Sequence, residues 1–494
     1  MQKYLPSLRG PAIVTAGRPG VPVPVPSAAS PVTGEARNGP WVVLLGFYIL
    51  TFTVPIAEFL IVYWHVHIPV VVIADLILTV GLILSGHFGA FWRTPVAKPW
   101  MVVMVLFVIA SILGDYPGRS VPFILLYAIR FHIFPFYCCA IAVNTRNVRH
   151  VFSWVGWGSF LLLFLCLHYG QVKEGRLSVP DTDLANPNDL GLALLFAMSG
   201  LLLAKSRLSR VLIIVALPVF VYEILQTGSR ACLVTLLALG IILLVLVPAR
   251  TKIMMAVLIP VGAALVLTVL PSFTVTRLLL IVADPTRVQT DNDQLRGALD
   301  SQAARTELQE RAVQLAVRNP IFGVGALMFA DAVEGMVENM IGKKSGWQGA
   351  HNTYLEVAAE NGIPAMLLYT WSLLLCLKLN YHAYKMCRGR PDRRDLATQS
   401  LALVMMTLAF VICTFFSNNA YDPRVCVLVG LSAANFLAMK REAQDSGALP
   451  SSGTGGWPAI APYPGVSPKA RARPVPARRL GRLRPGSMQP FSKS

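Results

Sequence analysis

Long apolar segments, each about as long as a membrane is thick, recur through most of this chain. A helix needs roughly 17 to 25 apolar residues to cross a ~30 Å hydrocarbon layer. Segments of about that length lie near 41–64, 68–86, 99–114, 121–144, 150–169, 189–206, 208–226, 231–249, 253–271, 362–384, 398–417 and 424–440. Of the 494 residues, 55% are hydrophobic and 14% are charged, which is too apolar for a soluble protein of this length. We therefore predict an all-α polytopic membrane protein with about twelve transmembrane helices.

The positive charges in the short loops predict the orientation of these helices. With both termini in the cytoplasm, the inner loops hold fourteen Lys and Arg residues and the short outer loops hold five. Positive charge is retained on the cytoplasmic side during insertion, so this orientation is favoured. The few arginines on the outside then need a reason to be there, and substrate binding would supply one.

The two ends of the chain differ in composition from the helices between them. Residues 1–40 are rich in Pro, Gly and Ala and predict a disordered cytoplasmic leader, while 441–494 predict a disordered basic cytoplasmic tail. This tail is expected either to attract anionic lipid headgroups or simply to be solvated, and no nucleic-acid partner is indicated. The spacing of the eight cysteines indicates neither a disulfide framework nor a zinc site.

The longest interruption between apolar segments is 272–361, which falls on the outside between predicted helices 9 and 10. Long loops of this kind are usually functional. Within it, 291–318 carries Leu and Ala at roughly helical spacing among polar residues. This pattern predicts one or two amphipathic helices, which either lie on the membrane surface or form an extramembrane cap packed on itself.

Four polar motifs occupy the outer ends of these helices. The loop contains Arg318-Asn319-Pro320-Ile321-Phe322-Gly323-Val324-Gly325 and ends in His351-Asn352-Thr353-Tyr354-Leu355-Glu356, followed by Glu360-Asn361-Gly362-Ile363-Pro364. Earlier come Gly175-Arg176 with Asn186-Pro187-Asn188-Asp189, and Thr227-Gly228-Ser229-Arg230. In this order and with about twelve helices, the motifs resemble the O-antigen ligase and polymerase superfamily over roughly 150–420.

The resemblance implies a GT-C-like membrane glycosyltransferase of the bacterial inner membrane that acts on the periplasmic face. Its substrates would be an undecaprenyl-diphosphate-linked oligosaccharide and either a glycan or a lipid A-core acceptor. A flippase and a chain-length regulator are possible partners, and no cofactor or metal is expected. The predicted regions are the leader 1–40, helices 1–9 at 41–271, the periplasmic loop 272–361, helices 10–12 at 362–440 and the tail 441–494.

The chemistry of such a transfer assigns roles to individual residues. His351 is the predicted base, because an imidazole can accept a proton near neutral pH. Arg176, Arg230 and Arg305 are the predicted diphosphate ligands, because a guanidinium fork binds phosphate oxygens bidentately. The alternatives are a structural histidine at a helix start, headgroup anchors for Arg176 and Arg230, and a solvated helix face for Arg305.

Other polar residues have less specific interpretations. Four of them would support the base or merely cap and line helix starts: Asn352, Glu356, Glu360 and Asn188. Asp181 and Asp183 form a pair that would suit a divalent metal, but such a tripeptide is common in polar loops, and the loop interpretation is favoured. The apolar segments also contain Glu58, Asp75, Arg130 and Glu223, which we expect to pair with one another or with backbone groups.

We predict a glycosyltransferase that ligates or polymerises lipid-linked oligosaccharide, with a slight preference for polymerase over ligase. The alternative class is a transporter or flippase for lipid-linked sugars or polysaccharide. Transporters usually collect their polar residues on broken helices at the midplane of the membrane. Here the informative residues collect on one side, which favours an enzyme.

Overall fold

The computed structural model describes residues 40–67, 69–142, 145–173, 175–204, 206–247, 293–341, 349–390 and 393–445, together with isolated positions between 249 and 275. The leader 1–39, most of the predicted ninth helix at 253–271 and the tail from 446 onward lie outside the described residues.

Helices make up almost all of the described chain. The first half contains α1 Pro40–Val62, α2 Val70–Ser85, α3 Gly89–Trp92, α4 Ala97–Leu113, α5 Pro117–Tyr127, a π-helical turn Ala128–His132, α6 Phe134–Ile141 and α7 Thr145–Tyr169. The second half contains α8 Pro187–Gly200, α9 Arg207–Gln226, α10 Arg230–Leu246, α11 Asp293–Arg318, α12 Phe329–Ile341, α13 Thr353–Asn361, α14 Ile363–Cys387, α15 Arg394–Cys413 and α16 Pro423–Asp445.

The predicted all-α membrane architecture is confirmed in outline. Five described helical segments are long and apolar enough to cross a membrane, namely Pro117–Ile141, Arg146–Tyr169, Ile363–Cys387, Arg394–Phe416 and Pro423–Ala443. Six shorter apolar helices accompany them, at Trp41–Thr51, Val70–Ser85, Ala97–Leu113, Pro187–Leu203, Val211–Gln226 and Arg230–Leu246. The described helices coincide with eleven of the twelve predicted segments.

One element departs from the all-α prediction. A short antiparallel hairpin joins β1 Gln171–Lys173 to β2 Arg176–Ser178 directly after α7. Gly175 lies in its turn with φ +69°, a conformation that glycine adopts without steric cost. Three-residue strands carry too short an alternation to be recognised in a sequence. The hairpin matters because it carries Arg176.

Several helices begin where the sequence offers a capping side chain or a proline. Asn186 accepts a hydrogen bond from the backbone N–H of Asn188 at the start of α8, and Ser229 accepts one from Cys232 at the start of α10. Pro187 and Pro364 occupy the first turns of α8 and α14, where no backbone N–H is needed. These local signals fix the ends of the helices that carry the polar motifs.

The apolar helices pack around one continuous core. α1 packs closely on α2, because a Cβ at Gly46 would meet Leu78 and one at Gly81 would meet Val43. Small residues permit such close approach of helices within a membrane. α14 packs against α4 and α15, and α16 packs against α6. These contacts hold the ends of α8, α14, α15 and α16 together.

The two polar helices of the long loop form a cap of their own. Leu308, Ala312 and Leu315 on α11 pack with Phe329 and Val333 on α12 in a second apolar cluster. This cluster also includes Ala359 of α13, and α11 packs along α13. In the described part of the loop, this favours an extramembrane cap over helices that lie separately on a membrane surface.

One of the pairings expected for the charged residues inside the apolar segments is present, between Asp75 and Arg130. Asp75 on α2 lies close enough to Arg130 in the π-helical turn for the two charges to interact. Glu223 on α9 is buried and lies near Cys166 of α7. The side chain of Glu58 lies outside the described residues.

Candidate active site

The site is built around α13, the short helix that precedes the long helix α14. Asn352 caps α13, since its Oδ1 accepts hydrogen bonds from the backbone N–H groups of Tyr354, at 3.0 Å, and Leu355, at 3.1 Å. This is the capping role that the sequence left open for Asn352. The cap fixes the direction in which the chain enters the helix and therefore the position of the preceding residue, His351.

His351 has an unusual backbone and an unsatisfied ring. Its φ is +50°, in the left-handed region that residues other than glycine rarely adopt, and such strain is concentrated at functional sites. The side chain is half-buried, and its Nδ1 atom is buried with no hydrogen-bond partner among the described residues. Burial lowers the pKa of His351 to about 4, and the positive charge of Arg305 on α11 contributes. The imidazole is therefore neutral at physiological pH, which is the protonation state that a base requires.

The Asn319–Gly325 motif wraps around the other end of α13. Val324 and Gly325 donate backbone hydrogen bonds to the carbonyls of Ala359 and Glu360, at 3.0 and 2.9 Å. Gly323 and Gly325 have φ of +65° and +108°, and a Cβ at Gly323 would collide with the backbone of Glu360. The glycines of this motif are needed because two backbone segments touch there.

Glu360 connects this turn to Tyr421, in the chain that joins α15 to α16. Its Oε1 accepts from the N–H of Phe329 at 2.9 Å, and its Oε2 accepts from the N–H of Leu327 at 3.0 Å and from the hydroxyl of Tyr421 at 2.6 Å. Burial raises the pKa of Glu360, although these three hydrogen bonds oppose the shift. None of the partners is His351, so Glu360 shapes the site without orienting the base.

The segment Ser417–Arg424, which leads from α15 into the first turn of α16, is the largest contribution that the sequence did not predict. Thr353 of α13 donates to the carbonyl of Ser417 at 2.8 Å and accepts from the N–H of Asn419 at 2.9 Å. Arg424 forms an ion pair with buried Asp422, with 2.8 Å between Nη2 and Oδ2 and 2.9 Å between Nε and Oδ1. The run of polar residues from 417 to 424 between two apolar helices was the available signal.

Asn419 extends the network to α8. Its Nδ2 donates to Oδ1 of Asp189 at 3.1 Å, and its Oδ1 is buried with no hydrogen-bond partner among the described residues. The Asn186–Asp189 motif at the start of α8 is thereby joined to the 417–424 segment, which lies 230 residues further along the chain.

A cavity of about 320 Å³ lies between α13, α8 and the 417–424 segment. Its lining is strongly acidic, and Arg424, the one basic residue among those described around it, is paired with Asp422. Gly349, two residues before His351, also lines it. The complete lining is Asp183, Asp189, Leu327, Phe329, Ala330, Gly349, Glu356, Glu360, Asn418, Asn419, Ala420, Tyr421, Asp422, Pro423 and Arg424.

Glu356 is the most deeply buried acid of this lining after Glu360. It is 7% exposed, and its Oε2 has no hydrogen-bond partner among the described residues. Burial raises the pKa of Glu356 well above the usual range, and the nearby carboxyl of Glu360 adds to the effect. A buried oxygen without a donor costs free energy unless a ligand or water supplies one.

Arg176 holds two of the motifs together. Its Nε donates to the carbonyl of Thr227 at 3.1 Å, and its Nη2 donates to Oδ1 of Asn188 at 3.2 Å. The β-hairpin, the start of α8 and the turn before α10 therefore meet at this guanidinium. Asn188 supports Arg176 and not His351.

The other two predicted arginines occupy separate elements. Arg230 is the first residue of α10, three residues after the carbonyl that Arg176 binds, and is half-buried. Arg305 is on α11, close to His351. The structure thus brings Arg305 to His351 and Arg176 to Asn188 and the Thr227 turn, while Glu356 and Glu360 face the acidic cavity.

The Asp181–Asp183 pair is split between two environments. Asp183 lines the cavity, whereas Asp181 lies near Tyr63 at the end of α1. Between them, the hydroxyl of Thr182 donates to the carbonyl of Val179 at 2.8 Å and accepts from the N–H of Leu184 at 3.1 Å, as in a polar turn. This arrangement favours the loop interpretation over a shared metal ion.

The fold and the site together define a polytopic α-helical membrane protein whose polar motifs meet at one end of its helices. Residues 192–370 match the family model described as O-antigen ligase. This match confirms the resemblance to the O-antigen ligase and polymerase superfamily that the motifs show. The match contains His351, Arg230 and Arg305, whereas Arg176, Asn188 and the 417–424 segment lie outside it but pack onto it.

The match supports an O-antigen ligase or polymerase type of membrane enzyme. Such a family implies a lipid-linked oligosaccharide and a glycan acceptor as substrates. A search of curated proteins found no match to the chain.

Proposed function

We propose that this protein is a glycosyltransferase that moves an oligosaccharide from undecaprenyl diphosphate to a glycan acceptor at the periplasmic face of a bacterial inner membrane. The observation that carries the proposal is the half-buried imidazole of His351 beside Arg305, whose Nδ1 has no hydrogen-bond partner among the described residues, in the segment that matches the O-antigen ligase family. The strained backbone at His351 supports a functional role for this residue.

The proposed reaction is a single displacement. An acceptor hydroxyl gives its proton to the imidazole of His351 as its oxygen bonds to the anomeric carbon of the donor sugar. The bond from that carbon to the diphosphate oxygen breaks, and undecaprenyl diphosphate leaves with the bonding electrons. Attack from the face opposite the leaving group inverts the anomeric configuration.

The leaving diphosphate needs positive charge, and the proposed ligands are Arg230, Arg305 and Arg176. Arg305 is the best supported, because its charge already acts on His351 and would place a phosphate close to the base. Arg176 already donates to Thr227 and Asn188, so its proposed role combines positioning of the turn with binding. We propose no metal for this step.

The finer assignments belong to the same proposal. The helices would form about twelve spans in a GT-C-like arrangement, with both termini in the cytoplasm. A second lipid-linked repeat unit as the acceptor would make the protein a polymerase of O-antigen or exopolysaccharide, and lipid A-core would make it a ligase. We retain the slight preference for polymerase. A flippase and a chain-length regulator are the proposed partners.

Transfer by the purified full-length protein in lipid vesicles tests this proposal. The donor is undecaprenyl-diphosphate-linked glycan, offered alone in one reaction and with lipid A-core in a second. His351→Ala should lose on the order of 10²- to 10⁴-fold in rate. His168→Ala is the matched control, because His168 is exposed on α7 and lies outside the site. Full activity of His351→Ala, or no transfer to either acceptor by the wild type, would overturn the proposal.

The competing transporter function predicts a different result. A flippase would move lipid-linked glycan across the vesicle membrane without forming a new glycosidic bond. Movement of the donor with no change in its mass would favour that function.

A further inference from the structure

The acidic cavity, which Gly349 lines two residues before His351, has a lining that the displacement reaction does not use. Five acidic side chains face it, from Asp183, Asp189, Glu356, Glu360 and Asp422. A leaving diphosphate would be repelled by such a surface. The cavity therefore needs a ligand of different chemistry from the diphosphate.

Two buried oxygens define what that ligand must offer. Oε2 of Glu356 and Oδ1 of Asn419 belong to residues that are 7% and 9% exposed, and neither has a hydrogen-bond partner among the described residues. Both residues line the cavity. Oδ1 of Asn419 can only accept a hydrogen bond, so the ligand must bring a donor to it, and Oε2 of Glu356 can pair with a hydroxyl, which both donates and accepts.

The basic group near the cavity does not change this conclusion. Arg424 is held by both oxygens of Asp422, and its Nη1 is directed at the carbonyl of Asp189 at 3.5 Å. The side-chain amide N–H of Asn419 is likewise directed at Asp189. These donors are thus used within the lining, while the two buried oxygens of Glu356 and Asn419 remain without a partner among the described residues.

On this basis we propose that the cavity is an acceptor subsite, which binds a pyranose ring through the hydroxyl or amino donors of the sugar and disfavours rings that carry carboxylate or phosphate. This inference rests on the proposed function, because it assigns the acceptor side of the same reaction. A volume of about 320 Å³ is enough for one or two sugar rings.

The acceptor is favoured over the donor as the source of this ring. The first sugar of the donor is bonded directly to a diphosphate, which would have to lie within a few ångströms of the carboxylates. Charges at such a separation repel strongly, since the Debye length at physiological salt is about 8 Å. The attacking end of the acceptor carries no such group.

Three methyl glycosides that differ only in charge test the subsite. The probes are methyl β-glucoside, its 2-amino counterpart and methyl β-glucuronide, each titrated onto the full-length protein in detergent and followed by saturation-transfer NMR. We expect the neutral and amino sugars to bind and the glucuronide to bind at least about threefold more weakly, an effect of the size expected for partly exposed charges. Equal binding of all three, or tighter binding of the glucuronide, would overturn the proposal.

Two variants and one control locate the binding. Glu356→Gln removes a buried acid at nearly constant shape, and Asp183→Asn removes an acid from an exposed turn. Each should reduce the preference for the amino sugar over the glucuronide. Glu307→Gln on α11 should not, because Glu307 is exposed and pairs with Arg311 away from the cavity. An unchanged preference in both cavity variants would place the sugar elsewhere.

Inhibition of transfer shows whether the bound sugar ring belongs to the acceptor or to the donor. It also tests the acceptor subsite separately from the proposed glycosyltransferase function. The amino sugar should compete with the acceptor and not with undecaprenyl-diphosphate-linked glycan. Competition with the donor would overturn the acceptor assignment. Transfer without any binding of the three probes would overturn the acceptor subsite but not the proposed function. Selective binding of the probes without any transfer would overturn the proposed function but not the sugar-binding subsite.

Discussion

The hydroxyl of Tyr421 lies 2.6 Å from Oε2 of Glu360 and donates a hydrogen bond to it. The same hydroxyl accepts from Nδ2 of Asn361 at 2.8 Å. Through these two contacts the 417–424 segment is tied to the end of α13. Glu360 in turn holds the N–H groups of Leu327 and Phe329, so three distant parts of the chain depend on one buried carboxyl group.

Tyr421→Phe should therefore destabilise the protein. It removes a donor from a buried carboxyl group and leaves Asn361 without its acceptor, which typically costs about 1–3 kcal/mol. Thermal unfolding in detergent should show a lower midpoint for this variant. Tyr381→Phe is the control, since Tyr381 is 43% exposed on α14. An unchanged midpoint in Tyr421→Phe would mean that the contact contributes nothing to the free energy of unfolding.

The sequence predicted most of the helices but little of how they meet. Apolar length and capping residues are local signals, so α8, α10 and α14 begin within a few residues of the predicted positions. The contact between Asn419 and Asp189 joins residues 230 positions apart, and no local pattern encodes such a pairing. The 417–424 segment was missed for this reason.

The sequence identified the predicted site residues as parts of motifs, and the contacts in the structure then distinguished between the interpretations of some of them. Asn352 and Glu360 had two interpretations each, and the structure assigns Asn352 to the cap of α13 and Glu360 to the turn at Leu327 and Phe329. Spacing alone does not indicate which side chain faces a neighbour from another part of the chain. The roles of His351 and Arg230 stay predictions.

Gly323→Ala should disrupt the contact between the Asn319–Gly325 motif and α13. The residue has φ +65°, and a Cβ there would meet the backbone of Glu360 and Ala359. The left-handed conformation alone costs an alanine about 1–2 kcal/mol, and the collision adds to it. Gly335→Ala on α12 is the matched control, because its Cβ would meet only the Tyr116 hydroxyl at 3.7 Å and alanine favours a helix. Thermal unfolding of the two variants should move in opposite directions, and equal midpoints would contradict the packing described here.

Lysine should have separate effects at Arg176, which contacts the turn before α10, and at Arg230, the first residue of α10. Arg176→Lys loses the two hydrogen bonds to Thr227 and Asn188, so both thermal stability and transfer should fall, with each neutral acceptor worth about 1 kcal/mol. Arg230→Lys keeps the charge but loses the bidentate fork, so transfer should fall. Wild-type transfer by Arg230→Lys would identify Arg230 as a headgroup anchor instead of a diphosphate ligand.

Chemical labelling tests the proposed orientation of the site. Val317→Cys places a thiol on α11 at a position that is 68% exposed. In spheroplasts, which have lost the outer membrane but keep an intact inner membrane, a membrane-impermeant maleimide should label this cysteine if the loop is periplasmic. The native cysteines among the described residues are all buried and should react little. Labelling that requires lysis of the inner membrane would place His351 on the cytoplasmic side and end the proposed mechanism.

The pH dependence of transfer should report the environment of His351. Because burial lowers the pKa of His351 to about 4, with Arg305 contributing, the base stays neutral well below the ordinary imidazole pKa of 6.5. The acidic limb of kcat/KM should therefore lie nearer pH 4 than pH 6.5. The same pKa shift determines how the free energy of unfolding depends on pH. As the pH falls, the unfolded chain protonates His351 at a higher pH than the folded chain does. The contribution of His351 to the free energy of unfolding is therefore complete above pH 6.5 and is lost as the pH falls toward 4.

Arg305→Gln separates the two causes of this shift. The variant removes the positive charge but leaves most of the burial, so the acidic limb should move upward by only part of the distance to pH 6.5. Arg311→Gln, on the same helix and paired with Glu307, is the control and should leave the limb in place. The measurement is kcat/KM for glycan transfer between pH 4 and 8 in wild type and both variants. An acidic limb at pH 6.5 in the wild type, unmoved in Arg305→Gln, would show that His351 titrates as an exposed imidazole and that Arg305 does not act on it.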